Sequence, residues 1–388
     1  MDMLNYYGAR GIVPVRQSLP QTNWSRFRAQ RESLYSNLGL QPGMVAGKRV
    51  LEIGPGTGDN ATCILAMEPS EMLLVDGNSS SIEALTSLFA GGQLDPNVCS
   101  VIQSDARNLD LLVTGLFDVV ICEGVVNGQD EPSSFLKVVS TFVKPGGMLL
   151  ITNVSAWGVL DAALRRLFVL PSMANGEPYE NQLQTACDIF QSHLRNLPTS
   201  KPIEDWVQDA ILHPLSSEYI FSSAEAVALL TDEFVVTGSS PRILQDFRWH
   251  KSLPEDPREL NEMFREQYAL LEPMWLDDRL KNPFDLVESL TVIRQRPAIG
   301  DAVRQVWDLS CRARETLSVG GELEEIEDQL VTIVDGLNGI LPKVPEVLSE
   351  YLGILPAIRD GDINALRAPL LEEWWGRGLN YLSLRRIE

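Results

Sequence analysis

The 388-residue sequence predicts an α/β protein: a mainly parallel sheet in its first 250 or so residues, followed by a helical region. Three observations predict this class. Short apolar runs rich in β-branched residues alternate with helical segments, as expected for strands covered on both faces. The first run ends in alternating glycines at Gly54, Gly56 and Gly58, which is typical of a strand-to-helix turn. From Leu253 onward, apolar residues recur at helical spacing instead.

The turn after the first strand has the pattern of a nucleotide-type binding site. The sequence from Arg49 to Asp59 is Arg-Val-Leu-Glu-Ile-Gly-Pro-Gly-Thr-Gly-Asp. Glycines lack a Cβ, so the backbone can take positive φ and approach a ligand closely, and a helix over Asn60 to Met67 would offer free N–H groups. The Gly-x-Gly-x-Gly spacing differs from the Gly-x-Gly-x-x-Gly fingerprint of dinucleotide sites. A ligand without phosphates therefore fits better.

The next three strands of this half are each followed by a polar residue, and a glycine turn precedes a fifth strand. The pairs are Met72 to Val75 with Asp76, Ser100 to Gln103 with Ser104, Asp105 and Ala106, Phe117 to Cys122 with Glu123 and Gly124, and a Lys-Pro-Gly-Gly turn at Lys144 to Gly147 before a fifth strand. An acid about 20 residues past the glycines usually holds the hydroxyls of a ribose. Taken singly, Asp76 and Asp105 could be ordinary strand-end carboxylates.

These motifs, in this order, resemble those of the class I S-adenosylmethionine (SAM) methyltransferases over about Lys48 to Asn153. The resemblance implies a Rossmann-like seven-stranded methyltransferase sheet, SAM as the cofactor and methyl transfer as the activity. It also implies the cofactor contacts: the methionine part on Glu52, Gly54, Gly56 and Gly58, the ribose on Asp76, and the adenine amino group on Asp105 with Ala106 beside it. The alternatives are a NAD-dependent oxidoreductase and a non-catalytic, partner-binding protein of the same fold.

The composition of the sequence limits the classes of binding partner and the cellular location that we expect. A net charge of −21 repels phosphate backbones, so we expect a small-molecule acceptor and no nucleic acid. The 5 cysteines are scattered, which predicts reduced thiols, and their spacing indicates no metal site. The N-terminus has no signal-peptide pattern, and no apolar run approaches the length of a membrane span. We therefore expect a cytoplasmic protein with no membrane association.

The predicted domains are an N-terminal arm and cover helix (1–40), a methyltransferase domain (41–252) with a helical insertion at about 155–218, and a helical C-terminal domain (253–388). Residues 1–21 are predicted to be extended. A helix from Asn23 to Leu38, ending at Gly39, packs over either the cofactor or the sheet edge. The insertion, with helices at Val159 to Leu170, Asn181 to Asn196 and Ile203 to Leu212, is expected to form a lid over the acceptor.

After the insertion, Ser222 and Glu225 form a predicted capping box that opens a helix. Strands six and seven are then predicted at Glu233 to Thr237 and Ile243 to His250, as an antiparallel hairpin. In the last third, a helix from Glu322 to Ile340 has an apolar seam that favours packing in a bundle. Homodimerisation through the C-terminal helices is the alternative.

The acceptor and the catalytic groups are the least specified part of the prediction. Glu123 weakly resembles the first glutamate of the protein arginine methyltransferases, although the aromatic residue and methionine that follow it there are missing. It could hold a cationic nitrogen, or equally bind the cofactor. His213 and His250 are candidate general bases, like His193, but a lone histidine is more often structural. We expect transfer to N or O of a small molecule, with a slight preference for an amino or guanidino nitrogen.

Overall fold

A seven-stranded sheet in the order β3-β2-β1-β4-β5-β7-β6 forms the centre of the fold. The computed structural model describes residues 3–13, 24–195, 201–341 and 343–388. The strands are β1 Arg49–Ile53, β2 Glu71–Asp76, β3 Cys99–Gln103, β4 Phe117–Cys122, β5 Val143–Val154, β6 Phe234–Ser240 and β7 Leu379–Arg386. The predicted α/β class and Rossmann-like sheet with a helical region are confirmed.

The register of the central strands brings their ends level. β1 pairs in parallel with β2 and with β4, and Ile53 lies opposite Val75 on one side and Cys122 on the other. The four residues after Arg49 in β1 are all buried, as expected for a strand covered on both faces. Because parallel strands point the same way, the residues that follow these three strands meet at one edge of the sheet.

The seventh strand lies where the sequence did not predict it. β7 is Leu379–Arg386 and pairs antiparallel with β6, so the prediction of strand seven at Ile243 to His250 is wrong. The predicted segment is an irregular loop with exposed Phe247 and Trp249, and its polar residues bond locally, whereas Leu382 and Leu384 alternate into the core. The strand therefore forms in the segment whose leucines are buried at the two-residue spacing of a β-strand.

The chain divides into two compact units. The first contains the described residues of Met1–Asn153, Glu218–Tyr268 and Asn380–Glu388, and so includes the sheet. The second is helical and combines Val154–Ser217 with Ala269–Leu379. The predicted division at residues 252 and 253 falls inside the first unit, and β7 returns the end of the chain to the sheet. The predicted domain boundaries themselves stay a prediction. Whether the first inserted segment acts as a lid stays a prediction.

The α-helices follow in chain order. Up to β5 they are α1 Met3–Arg10, α2 Trp24–Asn37, α3 Pro42–Val45, α4 Asp59–Leu65, α5 Ser79–Ala90, α6 Leu109–Leu112 and α7 Pro132–Thr141. From β5 to β6 they are α8 Leu160–Leu167, α9 Leu170–Ala174, α10 Tyr179–Leu194, α11 Ile203–Trp206 and α12 Ser223–Leu230, with a π-helix at Val207–Leu212. Between β6 and β7 they are α13 Glu259–Leu271, α14 Val287–Arg294, α15 Pro297–Thr316, α16 Gly321–Leu337, α17 Lys343–Leu352, α18 Leu355–Asp360 and α19 Pro369–Glu373.

The N-terminal region differs from its prediction. Residues 3–10 form a helix, α1, with Tyr6 and Tyr7 buried, so an extended arm is wrong there. Most of the stability of so short a helix comes from packing of its buried side chains. The rest of the predicted arm, residues 1–2 and 14–21, and the predicted helix start at Asn23 lie outside the described residues. A helix in the predicted position is confirmed as α2, and Gly39 takes the positive φ of 74° expected of a helix-ending glycine. Whether α2 covers the cofactor or the sheet edge stays a prediction.

Two other helix predictions are confirmed in detail. α12 begins with both bonds of the capping box: the Glu225 amide donates to Ser222 Oγ (3.2 Å), and the Ser222 amide donates to Glu225 Oε2 (2.6 Å). The apolar seam of α16 is buried within the second unit, where a Cβ at Gly336 would lie 2.6 Å from Ile299 Cγ1 of α15. This seam therefore packs inside the chain, and homodimerisation through these helices stays a prediction. Among the described residues, no helix is both long and apolar enough to cross a membrane.

Candidate functional site

The glycine turn between β1 and α4, residues 54–58, has the backbone conformation that its sequence predicts. Gly54, Gly56 and Gly58 have φ values of 72°, 57° and 81°, where side chains other than glycine are strained. A Cβ at Gly54 would lie 2.3 Å from Cγ2 of Val125. The Gly54 amide donates to the Val75 carbonyl at the end of β2 (2.8 Å). The turn therefore needs glycine both for its conformation and for its close packing.

Asp76, at the end of β2, is bonded to this turn. Its Oδ2 accepts from the Gly56 amide at 3.0 Å, and its Oδ1 accepts from the Asn78 amide at 2.8 Å. Burial raises the pKa of this carboxyl, while the two amide bonds act in the opposite direction. A carboxylate has about four lone-pair sites, so Asp76 can still accept from the hydroxyls of a ligand.

Glu52, near the end of β1, is a buried polar group with an oxygen left unsatisfied within the described part of the chain. Its side chain is buried, and among the described residues its Oε2 has no hydrogen-bond partner. Burial, followed by the nearby charge of Glu123, raises its pKa to about 8. Leaving a buried acceptor without a donor costs about 1–3 kcal/mol. A cationic or hydroxyl donor of a ligand would relieve that cost.

Glu123, directly after β4, lies in a buried ion pair that the sequence did not indicate. Its Oε1 accepts from Nη2 of Arg31 on α2 at 2.6 Å, and its Oε2 accepts from Asn60 Nδ2 at 3.2 Å. The side chains of Arg31 and Glu123 are only 8% and 11% exposed. Arg31 Nη2 also donates to Tyr35 Oη at 2.7 Å. Both oxygens of Glu123 are therefore engaged by groups of the first unit.

Asp105 and Ala106 lie at the start of a short 3-10 helix, Ala106–Asn108, after β3. Asp105 Oδ1 accepts from the Arg107 amide at 2.8 Å, and both carboxylate oxygens accept from the Arg107 side chain. These bonds to Arg107 lower the pKa of Asp105. Asp105 follows β3 as predicted, and its carboxylate is bonded to the neighbouring Arg107 side chain. The adenine contact stays a prediction.

The three histidines lie on elements other than the strand ends that carry Glu52, Asp76 and Glu123. His213 belongs to the second unit and is buried, and burial with the charges of Arg166 and Arg314 lowers its pKa to about 3. His193 is also in that unit, and burial with Arg165 likewise lowers its pKa to about 3. His250 lies in the first unit on an exposed 3-10 turn, with its ring edge-on to Trp249. The surroundings of His213 and His193 do not favour proton uptake near neutral pH.

Sequence reasoning missed several polar residues that surround Glu52 and Glu123. They are Arg31, Tyr35, Asn60 and Tyr381. Tyr381 lies on β7. Burial and, to a lesser extent, the negative charge of Glu123 raise the pKa of Tyr381 to about 12, and the hydrogen bond from Arg31 acts in the opposite direction. The available signal was Arg31 itself, a basic residue on the apolar side of a predicted helix, which calls for a buried partner. No group of side chains in the described ranges could hold a metal ion.

Comparison with known proteins gives the following matches. Residues 45–210 match a family model described as a methyltransferase domain. A ubiquinone biosynthesis O-methyltransferase of Chromobacterium violaceum is 29% identical over 136 residues, which cover 34% of this chain and 56% of that protein. A malonyl-[acyl-carrier protein] O-methyltransferase of Haemophilus ducreyi is 36% identical over 109 residues, covering 28% of this chain and 41% of that protein. The chain thus spans about half the length of these curated relatives.

Among solved structures, the glycopeptide N-methyltransferase MtfA complexed with sinefungin matches with a TM-score of 0.27 and 20% identity. That match covers 33% of this chain and 54% of the other.

Proposed function

The chain belongs to the class I SAM-dependent methyltransferases, and from that premise we propose that it transfers a methyl group from SAM to an oxygen or nitrogen of a small molecule. The observation that carries the proposal is the glycine turn with Glu52 beside it. The turn is bonded to Asp76, and Glu52 keeps a buried oxygen without a donor among the described residues. A ligand with a cationic amino group and ribose hydroxyls matches both carboxylates.

The residues at this edge of the sheet fit the cofactor. Glu52 and the glycine turn would hold the methionine part, Asp76 the ribose, and Asp105 with Ala106 the adenine, as the family resemblance implies. When bound, SAM supplies a methyl group on a sulfonium, which a nucleophile takes by in-line displacement. The protein's own task is to hold the nucleophile in line and, for a hydroxyl, to accept its proton.

An oxygen acceptor is favoured over the nitrogen acceptor that the sequence slightly preferred. That preference depended on the acidic charge balance and on Glu123 being available to a cation, and the two oxygens of Glu123 are bonded to Arg31 and Asn60. The curated relatives at 29% and 36% identity carry O-methyltransferase names, which is in line with oxygen. The net charge of −21 still argues for a small molecule over a nucleic acid.

The catalytic base for such an acceptor stays a prediction. His250 is exposed and therefore open to solvent, whereas the lowered pKa of His213, about 3, makes it a weak base. Replacing His250 by Gln and His213 by Gln separately compares the two. The histidine is identified as the base if its replacement abolishes the rise of turnover with increasing pH and leaves the affinity for SAM unchanged.

Turnover provides the test of the proposed function. The full chain is incubated with SAM and a panel of phenols, carboxylic acids and amines, and S-adenosylhomocysteine (SAH) is measured by mass spectrometry. We expect SAH formation that depends on an oxygen acceptor and is reduced in Asp76→Ala. SAH formed only with amines would contradict the oxygen assignment. Binding of NAD with no binding of SAM would contradict the proposed function itself.

A further inference from the structure

A buried arginine lies in the middle of the acidic cluster at the carboxyl edge of the sheet. Arg31 is 7% exposed, and its Nη2 donates both to Tyr35 and to Glu123. Its guanidinium also lies over the Tyr35 ring, with the Cζ 4.7 Å from the ring centroid. A guanidinium this deeply buried is retained when it is paired and hydrogen-bonded, so α2 is held to β4 through these contacts.

The surrounding charges are mostly negative. Glu52, Asp76 and Glu123 come from the ends of neighbouring strands, and the electrostatic influence of both Glu123 and Arg31 reaches Glu52. Glu123 follows Cys122, the β4 residue that lies opposite Ile53, so it is level with the first glycine of the turn. The net charge that Glu123 contributes at the ends of these strands therefore depends on its ion pair with Arg31.

We propose that Arg31 is a positioning residue that holds and neutralises Glu123, and so fixes the acceptor as a neutral molecule with a hydroxyl group. This inference rests on the proposed methyltransferase function. With Glu123 neutralised, a cationic amine finds no free charge to pair with, whereas a hydroxyl needs none. Glu52 and Asp76 are then the carboxylates left for the cofactor.

The affinities for SAM and SAH can reveal the net charge of Arg31 and Glu123 in the absence of any acceptor. SAM carries a positive sulfonium, and SAH, the product, lacks it. A group that changes the net charge next to the transferred methyl therefore changes the ratio of SAM to SAH affinity, whereas a change in packing weakens both ligands together. An uncompensated carboxylate favours the sulfonium, and an uncompensated guanidinium disfavours it.

The experiment is a double-mutant cycle by calorimetry on the full chain, with SAM and SAH as ligands. Arg31→Met should raise the ratio of SAM to SAH affinity by about tenfold, and Glu123→Gln should lower it by a similar factor. The double variant, which removes both charges, should return within about threefold of the wild type. Arg31→Lys keeps the charge and should leave the ratio near the wild-type value.

A matched control is Arg49→Met, which breaks the ion pair with Glu71 at the opposite end of β1 and should leave the ratio unchanged. The proposal is overturned if Arg31→Met and Glu123→Gln weaken SAM and SAH equally. If Arg31→Met fails to fold, Glu123→Gln alone still tests the proposal, because the ratio of SAM to SAH affinity should fall in that variant and its folding does not depend on Arg31→Met. Absence of SAM binding by the wild type would instead refute the proposed function.

Discussion

Replacing Glu52 by glutamine tests whether the carboxyl group buried beneath the glycine turn is a cofactor ligand. In the free protein, burial raises the pKa of Glu52 to about 8. A cationic amino group binds the ionised form, so SAM affinity should increase with pH up to about 8 and then level off. Below that pH, affinity should fall by about tenfold per unit, or about 1.4 kcal/mol, as long as the pKa in the complex lies lower still.

The same carboxyl group affects the stability of the free protein. Because its pKa is higher in the folded chain, near 8, than the unperturbed 4.5, the folded state binds more protons than the unfolded state between these values. Stability contributed by this group is therefore complete below about pH 4.5 and is lost as the pH rises toward 8. Over this interval the loss is at most on the order of 5 kcal/mol, and Glu52→Gln should remove it.

Titration calorimetry with SAM at pH 6, 7, 8 and 9, together with thermal unfolding of the free protein, measures both effects. We expect Glu52→Gln to bind SAM weakly at every pH and to be more stable than the wild type at pH 8. Glu71→Gln changes a half-exposed acid on the neighbouring strand and serves as the control. Identical pH profiles of SAM affinity in the wild type and in Glu52→Gln would refute the assignment.

Three further changes test the site and the fold. Asp76→Ala removes the acceptor bonded to the glycine turn and should weaken SAM by roughly 1.5–3 kcal/mol in calorimetry; unchanged affinity would sink the ribose assignment. Gly54→Ala places a Cβ 2.3 Å from Val125 at a φ of 72° and should lower stability by at least about 1–3 kcal/mol in denaturant unfolding. Adding Val125→Ala should recover part of that loss, and no recovery would mean that the collision is not its cause. Ser222→Ala removes the capping box of α12 and should cost about 1 kcal/mol in the same measurement; an unchanged midpoint would show that the cap adds nothing.

The positions of the residues assigned to the cofactor were predictable because these residues lie at the ends of consecutive strands of a parallel sheet. Glu52, Gly54 and Asp76 are fixed by a short run of sequence, and the register that makes β1 and β2 end level comes from the same fold rule. Residues that are near one another in the sequence are therefore also neighbours at the edge of the sheet.

The surroundings of Glu123 could not be predicted in the same way, because its partners are distant in sequence. Arg31 lies 92 residues from Glu123, and Tyr381 belongs to a strand that follows β6 by more than 130 residues. The sequence placed strand seven in the first apolar run after β6, since connections are usually short. The connection between β6 and β7 is instead a long helical region, so the expectation of a short connection was wrong here. The local signal for β7 was the two-residue spacing of Leu382 and Leu384.

Calorimetry with SAM and NAD on the same preparation measures whether the glycine turn and its carboxylates bind SAM. We expect SAM to bind with a stoichiometry of about one per chain, its affinity to fall in Asp76→Ala, and NAD not to compete with it. Binding of NAD at this site, or SAM binding that is unaffected by both Glu52→Gln and Asp76→Ala, would show that the cofactor site is assigned wrongly.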